Sequence, residues 1–228
     1  MDAAGGDDRC RVALRTARSI GRTRRKLGRD ALIVVGVTGK YCSGKNTVTG
    51  LLVDRGFVEI DVDRVGHDAL ATEGRRVIDE FGPSVRGDDG RIDRKALGRI
   101  VFGDRAALAR LEAILHPVMV AAVHARIQTL RSAADPPPGV VINAAILLRM
   151  RLDALCDTVV FVRAPFLARL RRARARDGAG LIDVLRRLRA QSDVAPQHSR
   201  SCADIHSVEN DDDRKRLLSQ LESFLPIS

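Results

Sequence analysis

Apolar residues along this chain fall into two rhythms. Short runs at Ala31 to Val37, Phe57 to Ile60, Val140 to Ile142 and Thr158 to Val162, with a weaker one at Ile205 to Val208, read as buried strands. Between them apolar positions recur at three- and four-residue spacing, as at Leu108, Leu111, Ile114 and Leu115, which is the period of a helix with one buried face. Asn46 to Asp54 predicts a first helix, stopped by Arg55-Gly56. Val65 to Arg131 reads as helical apart from a Gly/Asp turn at Gly87 to Gly90, and Pro136 to Pro138 make a rigid connector. Arg169 to Gln191 predicts two helical segments broken at Asp177-Gly178, and Asp211 to Leu225, acidic at its start, predicts a closing helix. Strands alternating with helices imply an α/β fold with a parallel sheet flanked by helices. The expected organisation is one domain over 31–225, with a helical subdomain inserted at about 65–131 and a lid at about 169–191.

The first strand runs into the chain's most informative stretch, IVVGVTGKYCSGKNT from Ile33 to Thr47. Strand, glycine-bracketed loop with a lysine, and helix are the order of a phosphate cradle. Gly39 and Gly44 permit backbone angles that other residues resist, the amides around Cys42 and Ser43 can turn inward, and Lys45 reaches phosphates as a point charge. The pattern G-x-x-x-x-G-K-S/T is met through Lys45 and then broken, because Asn46 stands where a hydroxyl would ligate magnesium. Its amide oxygen, or an adjustment by Thr47, is the available substitute. Asp61 and Asp63 follow the second strand, at the sheet edge where ligands of open parallel sheets bind, and are expected to face the same crevice as Lys45.

Charge changes the picture less than its size suggests. Lys and Arg number 39 against 29 Asp and Glu, a formal excess of +10, which alone would point to a polyanionic partner. Residues 1–30 carry nine basic and four acidic side chains, so half of the excess belongs to a Gly- and Arg-rich leader expected to be disordered. A second basic stretch, Arg163 to Arg189, holds nine arginines and suits a polyphosphate ligand as well as nucleic acid. Aromatic residues are only 3% of the chain, too few for base-stacking platforms, so nucleic acid is not the expected partner. Cys10, Cys42, Cys156 and Cys202 form no C-x-x-C pair and are expected as free thiols. The longest uninterrupted apolar runs are too short for a bilayer and the N-terminus has no signal-like apolar segment, which predicts a soluble, cytoplasmic protein.

Several further segments complete a pattern. Asp61-Val62-Asp63, then Arg91-Ile92-Asp93-Arg94-Lys95-Ala96-Leu97 with Ile100-Val101-Phe102, His116-Pro117, Ala175-Arg176-Asp177-Gly178 and Ala203-Asp204-Ile205 follow the loop in order. In this order and spacing the chain resembles dephospho-CoA kinase from about Leu32 to Leu225, with the leader outside. The resemblance implies a P-loop kinase core that moves the γ-phosphoryl group of ATP, with Mg2+, to the 3′-hydroxyl of dephospho-CoA. It implies nucleotide contacts at Gly39, Cys42, Ser43, Gly44, Lys45, Asn46, Thr47 and Asn210, with Lys45 and Arg176 stabilising phosphoryl charge. Asp63 matches the family's proposed base; a helix cap is its other reading. Asp61, Arg94 and His116 fall to the substrate side, Arg94 either on phosphates or pairing within its helix, and His116 without a catalytic part. Asn46 and Asp61 are the candidate magnesium positions. The chain departs from the family at Asn46 and again at Asn143, where the family usually shows Asp; either Asp61 or Asp63 takes over metal support, or the enzyme is slow or inactive.

Overall fold

A computed structural model describes residues 32–177, 203–225 and 227. The leader at 1–30 and the second half of the expected lid, 178–191, lie outside the described residues. The chain divides into two units, one made of the residues up to Ile60 and from Arg131 onward, the other of Asp61–Leu130.

The first unit is built on a five-stranded sheet in the order β2-β3-β1-β4-β5. Its strands are β1 (Ile33–Gly39), β2 (Val58–Asp61), β3 (Gly139–Asn143), β4 (Thr158–Arg163) and β5 (Asp204–Glu209). β1 pairs in parallel with β3 on one side, Val37 opposite Asn143, and with β4 on the other, Val37 opposite Val160, while β5 continues from β4. Helix α1 (Lys45–Val53) and helix α7 (Arg214–Glu222) cover the sheet, burying Val48, Leu51, Leu52, Leu217 and Leu221 against Val35, Val37, Val141, Val160 and Val208. This explains why β1, β3 and β4 read as unbroken apolar runs rather than alternating ones. β1 lies between β3 and β4, and the glycine loop emerges at its C-terminal end, the edge at which open parallel sheets bind ligands. Helix α6 (Phe166–Asp177) follows β4.

The second unit is helical: α2 (Val62–Thr72), α3 (Gly74–Phe81), a short 3-10 turn at Pro83–Val85, α4 (Arg94–Gly103) and α5 (Arg105–Arg131). Val77, Val85, Leu97, Val101 and Ala107 form its core, with Leu108, Leu111, Ile114 and Leu115 packed against them. The Gly/Asp turn is where expected: Gly90 N–H donates to the Gly87 carbonyl and Gly87 N–H to that of Arg91.

Two expectations change, and helix α5 adds further features. The second strand begins at Val58 and runs through Asp61, so helix α2 starts at Val62, three residues earlier than periodicity suggested. β5 is a regular strand paired along its length with β4. Helix α5 runs straight through His116-Pro117, although proline removes one helical hydrogen bond, because apolar packing on both sides of the break holds the turns together. By length and composition alone α5 would cross a membrane, which inspection of uninterrupted apolar runs did not suggest; its Ala107, Met119, Val123 and Ile127 are buried.

Packing density makes a paired prediction. A Cβ on Gly139 would lie 2.2 Å from the buried Phe57 ring and 2.7 Å from the Ile33 carbonyl oxygen, whereas one on Gly50, inside α1, meets nothing within 4 Å. Gly139→Ala is expected to destabilise by about 1–3 kcal/mol and Gly50→Ala to stabilise by up to about 1 kcal/mol. Thermal melts followed by circular dichroism check both, and equal melting temperatures would contradict the packing described.

Candidate active site

The glycine loop takes its shape from positions where a side chain does not fit. Gly39 has φ 149° and a Cβ there would lie 2.4 Å from the Val162 carbonyl oxygen; Gly44 has φ 94° and its Cβ would lie 1.9 Å from Asn210 Nδ2. Cys42 also adopts a left-handed φ of 56° and packs with Tyr41 and Leu170 around the buried Ala173. Gly44 caps α1 and, having no side chain, offers the first turn no capping acceptor, the arrangement that receives an anion. Lys45 opens the helix and its Nζ donates to the Gly39 carbonyl at 3.3 Å, drawing the lysine back across the loop. Ser43 is fully buried, so it serves the loop from inside, while Thr47 is exposed on α1.

Carbonyl groups of the loop are held from outside by arginines of α6. Arg172 Nη1 donates to the carbonyls of Cys42 at 3.3 Å and Ser43 at 3.2 Å, and its Nη2 donates to the Asn210 carbonyl at 3.2 Å. Arg169, 7% exposed, donates from Nε to the Tyr41 carbonyl at 2.8 Å. Asn210, 3% exposed, adds a bond from Nδ2 to the Ser43 carbonyl at 3.0 Å. Asp212 accepts from Arg172 Nε at 3.1 Å, and that hydrogen bond, followed by the charges of Arg172 and Arg171, holds its carboxyl below the usual carboxylate range. Asn210, expected as a nucleotide contact, bonds the loop itself, and the sequence did not single out Arg169, Arg172 and Asp212, because a chain this rich in arginine gives no single one prominence. The three-residue spacing of Arg169 and Arg172 on one helix face was the available signal. Arg176 sits on the last turn of α6, and its side chain lies outside the described residues.

At the neighbouring strand ends, Asn143 donates from Nδ2 to Asn46 Oδ1 at 3.1 Å and to Glu59 Oε1 at 2.9 Å. The oxygen expected to meet magnesium is therefore already an acceptor within the protein. Glu59 was not expected at the site. Asp61 is the cap of α2, accepting at Oδ1 from the Asp63 amide at 2.9 Å and the Arg64 amide at 3.4 Å. The cap considered for Asp63 is thus supplied by Asp61, and Asp63 stands exposed in the first turn with its carboxylate outside the capping bonds.

Within the helical unit, Arg94 opens α4, whose cap is Asp93, accepting from the Lys95 and Ala96 amides. These bonds hold the Asp93 carboxyl below its ordinary value. Arg94 lines a cavity of about 870 Å³ with Arg75, Arg86 and Arg91, beside the carboxylates of Asp79 and Asp89. His116 is half-buried in mid-helix. Among the described residues no three His, Cys, Asp or Glu side chains come together as a metal cluster, and Cys42 and Cys156 are free thiols; Cys10 and Cys202 lie outside.

The family model described as dephospho-CoA kinase matches residues 33–215. The chain belongs to the dephospho-CoA kinase family. It is 41% identical over 165 residues to the dephospho-CoA kinase of Moorella thermoacetica, covering 71% of this chain and 77% of that one. Against the dephospho-CoA kinase of Cutibacterium acnes it is 38% identical over 180 residues, 78% of each. Among solved structures, TT1252 from Thermus thermophilus superposes with a TM-score of 0.69 at 30% identity, over 86% of this chain and 98% of that one. The dephospho-CoA kinase from Campylobacter jejuni shares the fold, with a TM-score of 0.54 at 23% identity over 86% and 97%. Family membership makes the chain a kinase and ATP its phosphoryl donor, in keeping with the loop.

The Asp212 contact predicts a pH signature. Its carboxyl is depressed in the folded chain, so the stability it contributes is present above the unfolded value of about 4 and is lost as pH falls through the folded one. The difference in urea midpoint between the native chain and Asp212→Asn is expected to be constant from about pH 8 to 5 and to shrink below about pH 4. A difference that widens on acidification would reverse the assignment.

Proposed function

We propose that this chain transfers the γ-phosphoryl group of ATP to the 3′-hydroxyl of dephospho-CoA in the cytoplasm. The observation that carries the reading is the glycine loop feeding a helix whose cap has no side-chain acceptor and which begins with Lys45. In the reaction the 3′-oxygen forms a bond to the γ-phosphorus as the bond from phosphorus to the β–γ bridging oxygen breaks, releasing ADP. Asp63 orients the 3′-hydroxyl and accepts its proton, and its carboxylate is uncommitted to the α2 cap that Asp61 makes. Lys45 binds and neutralises the transferred phosphoryl oxygens, and Arg176 closes over them from the end of α6.

The cavity at Arg94, where Arg75, Arg86, Arg91 and Arg94 outnumber Asp79 and Asp89, supports a polyanionic acceptor, since planar guanidinium groups bind phosphates in pairs of hydrogen bonds. Arg94 is accordingly a substrate contact, with Asp61 and His116 supporting the same unit rather than reacting. Magnesium fits this donor set as a hydrated ion, which needs only one or two carboxylates beside the phosphates. Asp61, whose Oδ2 lies outside the cap bonds, would hold it. When bound it supplies neutralisation of the β- and γ-phosphoryl oxygens.

The deciding experiment is ATP-dependent conversion of dephospho-CoA to CoA by the purified chain, with magnesium varied. Lys45→Ala is expected to abolish turnover, and Asp63→Asn to lower kcat by about 10²–10⁴-fold with ATP affinity retained. ATP binding without product at any magnesium concentration would turn the reading toward another acceptor or a binding role. Unchanged turnover in Asp63→Asn would remove that residue as the base.

A further inference from the structure

The two positions at which the chain departs from its family's pattern are in contact. Asn143 Nδ2 reaches Asn46 Oδ1 and Glu59 Oε1 together, joining the start of α1, the end of β3 and the edge strand β2. This chain of bonds has one direction. An ionised carboxylate only accepts, so Glu59 draws the NH2 end of the Asn143 amide toward itself. The second N–H on that nitrogen then demands an acceptor, and Asn46 answers with its carbonyl oxygen. Were residue 59 an amide, both asparagines would be free to sit either way round. With its oxygen held by Asn143, the planar Asn46 amide turns its NH2 edge away from β3. Asn46 is the residue after Lys45, beside the helix N-terminus that lacks a side-chain cap.

We propose that Glu59 is a positioning residue for nucleotide binding: acting through Asn143, it locks the Asn46 amide so that position 46 meets the phosphates with an N–H donor in place of a metal-binding hydroxyl. The proposal rests on the reading that ATP binds at this loop. It differs in sign from a simple charge effect. Removing a carboxylate near a polyphosphate tightens binding by relieving repulsion, whereas freeing the amide to rotate weakens it.

The test is the Kd for ATP, by titration calorimetry with and without magnesium, for the native chain, Glu59→Gln, Asn46→Ala and the double variant. Glu59 is exposed on an edge strand, so its variant is expected to melt within about 2 °C of the native chain. Without magnesium, Glu59→Gln is expected to raise Kd by about 3–10-fold, and by less than about twofold when Asn46→Ala is already present. A swapped pair, Glu59→Gln with Asn143→Asp, reverses the donors: the new carboxylate accepts from the Asn46 NH2 and turns the Asn46 oxygen outward. In it, magnesium is expected to tighten ATP by a larger factor than in the native chain, a gain that is lost when Asn46→Ala is added. Unchanged or tighter binding in Glu59→Gln, an equal effect in both backgrounds, or an unaltered magnesium factor in the swapped pair overturns the proposal. A native chain that does not bind ATP at all overturns the loop reading and the proposal with it.

Discussion

A loop that offers its amide groups to an anion must find donors for its carbonyls, and here the donors come from one side chain above all. Arg172 reaches the Cys42, Ser43 and Asn210 carbonyls with a single planar fork, while Asp212 holds the fork in place. Lysine has the charge for such a contact but not the geometry, since its donors radiate from one nitrogen rather than spreading along two edges. Each carbonyl left without its donor would cost about 1–3 kcal/mol where water is excluded. The left-handed backbone at Cys42 and the close approach of Gly44 to Asn210 are both sustained by this outer layer. The basic run after β4 therefore begins as scaffold: its first arginines hold the cradle's shape.

The helical unit solves a different problem with the same residue type. Around the cavity at Arg94 the arginines are exposed and face solvent beside Leu70 and Ile78, an apolar wall with a charged rim in which they outnumber Asp79 and Asp89. Arg169 and Arg172 of α6 instead direct hydrogen bonds to backbone carbonyls. Burial separates the two uses: Arg169 is nearly inaccessible, whereas Arg91 has most of its side chain in water. Composition alone could not tell a structural guanidinium from one available to a ligand.

The sheet was readable because buried parallel strands must be apolar on both faces, and Val34 to Val37, Val140 to Ile142 and Val159 to Val162 are. The loop was readable because its glycines and lysine meet requirements few other structures impose. Less visible was everything that depends on which side chain meets which backbone group. Asp61 and Asp63 are equivalent in composition and two residues apart, yet the helix start at Val62 gives the cap to Asp61 and leaves the Asp63 carboxylate outside it. Glu59 was hidden because a polar residue on an exposed edge strand is ordinary until its partner across the sheet is known.

That partnership bears on how the chain's sequence is able to change. A serine at 46 alone would bring back the usual hydroxyl while taking the acceptor away from an Asn143 N–H; an aspartate at 143 alone would set a second carboxylate against Glu59. Neither single step toward the common pattern leaves the bonds intact, so substitutions at the three positions are expected to be non-additive, each one's effect set by the residues at the other two.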